Sequence, residues 1–121
     1  MRTTLTTAVL AVLAAATAAL TPSTAGATGL GRCAAGQLCL WPGTDFTGTR
    51  GTYELSGTDI ESCVPLPRGT TAQSLANRTG RPVTTYQSPT CAETGEFNTY
   101  PSGSWAPESA YQIRAFKIWE R

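Results

Sequence analysis

The chain has 121 residues, nine Lys and Arg against eight Asp and Glu, and no histidine. Its scattered net charge of +1 lacks the basic footprint that nucleic acid or an anionic membrane requires, so neither is expected as a partner. Without histidine, Ser-His-Asp and Cys-His catalysis, histidine general bases and His-containing zinc sites are excluded, and the expectation is a non-enzyme with no cofactor or metal of its own.

Met1-Arg2 is a short positive start, residues 8–20 are an apolar run broken only by Thr17, and Ala25-Gly26-Ala27 is an A-x-A cleavage pattern. Together they read as a secretory signal peptide over residues 1–27. Its apolar run of 13 residues is too short to span a bilayer. Residues 28–121 are then the exported part, predicted to be a single monomeric domain of 94 residues with eight basic and eight acidic side chains. Four cysteines lie in it, Cys33, Cys39, Cys63 and Cys91, and an even count in a short exported chain reads as two disulfides. Spacing alone leaves three connectivities. Cys33–Cys39, with Gly36 turning the chain back, and Cys63–Cys91, stapling a connector to a later hairpin, are the expected pairs.

Short β-like runs follow one another at 37–41, 51–55, 74–77, 83–86, 97–100 and 111–119. Turn chemistry separates them in Pro42-Gly43-Thr44-Asp45, Ser56-Gly57, Arg78-Thr79-Gly80 and Pro101-Ser102-Gly103. Many short strands with frequent turns predict an all-β antiparallel sandwich or barrel. In the last run Tyr111, Ile113 and Ala115 alternate with polar residues and the phase then slips to Phe116 and Ile118, which predicts a β-bulge. The halves are also alike: an apolar strand ending in an aromatic, a turn, a glycine and a Tyr-containing strand occur twice. Two four-stranded units, roughly 33–77 and 82–121, fit the length.

Trp41-x6-Gly48 has the spacing of the folded-over hairpin of the βγ-crystallin Greek key, where glycine supplies a positive φ. The wider string is Cys33-Ala-Ala-Gly-Gln-Leu-Cys39-Leu-Trp41, then Asp45-Phe-Thr-Gly48, then Ala72-Gln-Ser-Leu-Ala-Asn77-Arg-Thr-Gly80-Arg-Pro-Val83. With it, the chain from Cys33 to Arg121 resembles the secreted Streptomyces-type metalloproteinase inhibitor family. The resemblance implies a disulfide-stapled, crystallin-like sandwich of two Greek-key units that inhibits an extracellular protease, above all a thermolysin-like metalloprotease, through a constrained substrate-like loop. The zinc would belong to the target.

The family's reactive bond follows a half-cystine in the second unit, and Cys91–Ala92 is the match. The family's nearby second cysteine has no counterpart, with Glu96 near its place. A rival bond is Cys63–Val64, where a half-cystine and the prolines of Val64-Pro65-Leu66-Pro67 stiffen the chain. There Val64 is an apolar residue after the cut, but Pro65 lacks the N–H an extended substrate offers, and Val64 and Leu66 would equally suit a core-packing connector. Crystallin-type calcium sites place two acids or amides five and four residues before a serine. With Ser74 and Gln112 as those serine positions, Gly69, Thr70, Pro107 and Glu108 fill the acid positions, so no calcium site is expected. Glu93 and Glu96 read as a solvated hairpin, Asn77-Arg78-Thr79 as a turn rather than a glycosylated sequon, and Trp105 as the one exposed loop tryptophan. A crystallin-like toxin, a surface-binding module or a structural stress protein is the alternative function.

Overall fold

A computed structural model describes residues 32–121; the signal peptide expected over residues 1–27 lies outside the described residues. Eight strands follow in chain order: β1 (Gln37–Trp41), β2 (Gly51–Glu54), β3 (Val64–Pro65), β4 (Ser74–Asn77), β5 (Val83–Tyr86), β6 (Phe97–Tyr100), β7 (Ser104–Ala106) and β8 (Ala115–Ile118). They form two four-stranded antiparallel sheets, ordered β2-β1-β4-β7 and β3-β8-β5-β6. Each unit gives its third strand to the other sheet: β3 pairs with β8, and β7 with β4.

The core lies between the sheets because alternate residues of each strand point inward. Leu38 and Leu40 of β1, Leu75 of β4, Val83 of β5, and Phe116 and Ile118 of β8 are buried there, joined by Ala72, Tyr111 and Ile113. Each large side chain so buried stabilises the fold by about 1.5–3 kcal/mol relative to exposure. The units meet where Ala72 and Ile113 exchange N–H···O=C bonds of 3.0 and 2.9 Å.

Pairing register identifies equivalent positions. Leu38 faces Tyr53 and Asn77 as Val83 faces Tyr100 and Ile118. Trp41 thus corresponds to Tyr86, Ser74 to Ala115, and Thr52 to Thr99. Residue offsets between equivalent positions are 45 at Leu38 and Val83 but 47 at Tyr53 and Tyr100, so the second hairpin is two residues longer.

Three strand readings change. The run 111–119 is a strand only at Ala115–Ile118. The phase slip is a bulge: Arg114 donates its N–H to the Tyr86 carbonyl at 2.8 Å while Ala115 pairs with the same residue. Gln73 and Ser74 stand opposite Trp41 in the same way. β3 and β7 emerge from segments read as connector and loop. Asn77, the sequon residue, is fully buried; its Nδ2 donates to the carbonyls of Arg81 (2.8 Å) and Tyr100 (3.0 Å), and its Oδ1 accepts from the Thr79 N–H and hydroxyl. It therefore holds the junction between units.

Candidate functional site

The first hairpin, from Trp41 to Gly51, is closed by side chains. Phe46 stacks edge-on against Trp41 at 5.1 Å and against Trp105 at 5.7 Å between ring centroids. Trp105 is thus half-buried in β7 rather than free in a loop, its ring packed against Phe46. The buried Ser74 hydroxyl donates to the Gly43 carbonyl at 2.7 Å and accepts from the Phe46 N–H at 3.1 Å. Gly48 has φ +93°, and a Cβ there would stand 2.5 Å from Pro42 Cγ. The glycine is required twice, for its backbone angle and for the close approach.

The second hairpin, from Tyr86 to Phe97, starts on the same plan. Cys91 comes five residues after Tyr86, as Phe46 comes five after Trp41. Both take left-handed backbone angles, φ 58° and 59°. The register also matches Cys63 to Trp105, since Val64 faces Phe116 as Ala106 faces Leu75. The aromatic pair of the first unit is therefore replaced by a disulfide in the second. Cys63 and Cys91 are bonded, with Cα atoms 5.9 Å apart, and Cys33 and Cys39 form the other bridge.

Other devices of the first hairpin are missing from the second. Ala115 stands where Ser74 does and has no hydroxyl, so the Cys91 N–H bonds within the loop to the Ser88 carbonyl, at 3.1 Å. Glu93 takes the place of Gly48, and the late Gly95 has no positive φ. A non-glycine residue in the left-handed region costs on the order of 1–2 kcal/mol. At Cys91 the covalent bridge opposes that cost where the first hairpin uses stacking and a buried hydroxyl.

Around the bridge, Tyr86, Cys91 and Ala115 form a small buried cluster with Cys63 against it. The Gln87 N–H donates to the Glu96 carbonyl at 2.9 Å and closes the loop's base; Arg114 Nη1 donates to the Gln87 carbonyl at 3.2 Å. Ala92 and Gly95 are half-buried, while Glu93, Thr94 and Glu96 are exposed. Burial raises the Tyr86 phenol above its ordinary value, and the nearby Glu93 carboxylate raises it further.

Both candidate bonds, Cys91–Ala92 and Cys63–Val64, thus adjoin the same bridge, in different settings. Val64 belongs to β3, is paired with Phe116, and packs its side chain on the core. Presenting the Cys63–Val64 bond to a cleft would require β3 to leave its sheet. The Cys91–Ala92 bond lies in a loop and needs no strand to unpair.

The fold is that of a βγ-crystallin domain. The structure resembles the calcium-bound crystal structure of a βγ-crystallin domain of Abundant Perithecial Protein from Neurospora crassa, with a TM-score of 0.56 at 15% identity over 73% of this chain and 93% of that one. The family model described as peptidase inhibitor family I36 matches residues 26–99, and the chain belongs to that family. It is accordingly a protease inhibitor of the Streptomyces metalloproteinase inhibitor family, not an enzyme. No curated protein matches the chain in sequence.

The calcium seen in that crystallin domain finds no matching donors here. Register makes Ala115, not Gln112, the counterpart of Ser74. The second pair of acid positions then falls on Ala110 and Tyr111, beside Gly69 and Thr70 in the first unit. None of the four carries a carboxylate, and the Ser74 hydroxyl is already engaged by the hairpin. Among the described residues no group of three or more Cys, Asp or Glu side chains gathers. The residues present do not fit a calcium ion.

Proposed function

We propose that the protein inhibits an extracellular thermolysin-like metalloprotease by presenting the Cys91–Ala92 bond to its cleft. The observation that carries this reading is the clamp on the bond. Cys91 is tied to Cys63, and the chain after Ala92 returns to β6 through the Gln87–Glu96 hydrogen bond. A loop already ordered does not lose that entropy on binding. Two disulfides and membership of a protease inhibitor family support action outside the cell.

In this mechanism Ala92 would offer its methyl group to the pocket beyond the cut, and the target would supply the water that hydrolyses the Cys91–Ala92 bond. Cleavage makes a carboxylate on Cys91 and an amine on Ala92. The first is held by the bridge and the second by the pairing of β6 with β5, so neither end leaves readily. Holding the reacting groups together raises their effective concentration and favours re-formation of the bond over release. Ala92→Asp should abolish inhibition of thermolysin while leaving the melting temperature within a few degrees of the parent's, because the side chain sits in a loop. A folded Ala92→Asp protein that inhibits as well as the parent would contradict the proposal.

A further inference from the structure

We propose that the target protease also pairs a strand with the open edge of β6 and takes Phe97 into an apolar pocket. This inference rests on the loop reading above and extends its contact along the same chain.

β6 is the outer strand of its sheet. The bond from the Gln87 N–H to the Glu96 carbonyl sets the phase of the ladder, so residues 96, 98 and 100 turn their backbone groups toward β5. The N–H and C=O groups of Phe97 and Thr99 therefore point away from the sheet, and no described strand pairs with them. Phe97 is 44% exposed and rests its ring on Tyr86, with centroids 5.9 Å apart.

Exposed edges are normally blunted by charge, proline or shortness. β3 is two residues long and contains Pro65. β7 is three residues long, with Gly103 before it and Pro107 after it. Along β2, Arg50 lays its side chain beside the strand, its Nε donating to Thr52 Oγ1 at 3.0 Å and its Nη1 to the Arg32 carbonyl at 2.6 Å. β6, Phe-Asn-Thr-Tyr, carries no charge, proline or glycine. Glu96 precedes it and Pro101, the next outward position, follows it, so its ends are guarded while Phe97 and Thr99 between them stay open.

The occupant follows from continuity. β6 begins five residues after Ala92, a reach of at most ~18 Å, so a partner gripping the loop also meets this edge. Strand addition supplies affinity through main-chain hydrogen bonds and selects alternate side chains through pockets. Phe97 and Thr99 are those alternate side chains, and Phe97 is the large apolar one.

The test measures inhibition constants against thermolysin and a subtilisin, using whichever the parent inhibits, for Ala92→Asp, Phe97→Ala, Thr99→Pro and Thr52→Pro. Thr99→Pro removes an outward N–H, and Thr52→Pro makes the same change at the equivalent position of β2. Phe97→Ala and Thr99→Pro should each weaken inhibition by roughly tenfold or more, as loss of an interface anchor does, while Thr52→Pro leaves it unchanged. If Ala92→Asp abolishes inhibition but folded Phe97→Ala and Thr99→Pro inhibit like the parent, the β6 contact is wrong and the loop reading stands. If Ala92→Asp inhibits like the parent, or the parent inhibits neither protease, the loop reading fails and this inference with it. A concentration-dependent dimer abolished by Thr99→Pro would assign the edge to a second copy of the chain and overturn the proposal.

Discussion

In the first hairpin Phe46 closes over Trp41 and Trp105, and the Ser74 hydroxyl holds the turn from beneath. In the second, Cys91 takes the place of Phe46, Cys63 that of Trp105, and Ala115 that of Ser74. One backbone plan is thus locked by distributed contacts in one unit and by a single covalent bond in the other. A lock spread over stacked rings and a buried hydroxyl fixes the turn at Phe46, while most of residues 42–50 stay exposed. A disulfide constrains a point and leaves the next residues free to face a partner. The second hairpin is also two residues longer, and its Glu93 and Thr94 are exposed as residues 47–50 of the first are. The two hairpins therefore differ in how the turn is locked, by packing in one and by a covalent bond beside the proposed Cys91–Ala92 contact in the other.

Removing the bridge with Cys63→Ala and Cys91→Ala together should have the largest effect. The bridge closes a sequence separation of 28, against 6 for Cys33–Cys39. Chain-entropy arguments give about 3.5 kcal/mol for the first and about 2.3 for the second. Denaturant unfolding of the two double variants should show that order, and only the Cys63/Cys91 variant should lose inhibition under conditions where it remains folded.

Ser74→Ala comes next. It leaves the part-buried Gly43 carbonyl and Phe46 N–H without this partner, at a cost of about 1–2 kcal/mol. The same measurement should show this loss with inhibition unchanged, since the proposed contact lies on the second hairpin. A loss of inhibition larger than the loss of stability would erase the division of labour between the hairpins.

The glycines sharpen the comparison further. Gly48→Ala combines a left-handed backbone with a Cβ 2.5 Å from Pro42 Cγ and should cost about 1–2 kcal/mol. Gly95→Ala would place a Cβ 3.3 Å from Gln87 Oε1, with Gln87 Cβ and the Ser88 nitrogen at 3.7 and 3.9 Å in ordinary contact, and with no positive φ should change stability by less than about 0.5 kcal/mol. Equal costs would mean that Gly95 holds its turn as Gly48 does.

Much of this was readable from residues alone. β1 was legible because its apolar run lies between Gly36 and Pro42, β5 because its run follows Pro82, and β8 through the alternation that leads into Ala115. β3 and β7 were not, because two or three residues carry no period and Pro65 argues against a strand. The crossing of β3 and β7 between sheets is a long-range choice with no local signature. The sequence alone makes Gln112 the counterpart of Ser74, whereas the pairing register, with the same bulge in both units, makes it Ala115. The equivalence of Cys91 with Phe46 was within reach, since each comes five residues after its aromatic. That of Cys63 with Trp105 required the register.

The central claim, that the second hairpin faces the protease, is tested most directly by finding where a target protease cuts the bound inhibitor. After prolonged incubation with catalytic amounts of thermolysin, mass spectrometry of the denatured protein should show one slowly accumulating cut, between Cys91 and Ala92. Both half-cystines of the Cys63–Cys91 bridge lie before that bond, so the two pieces separate on denaturation without reduction. A first cut within residues 42–50, or between Cys63 and Val64, would contradict the account.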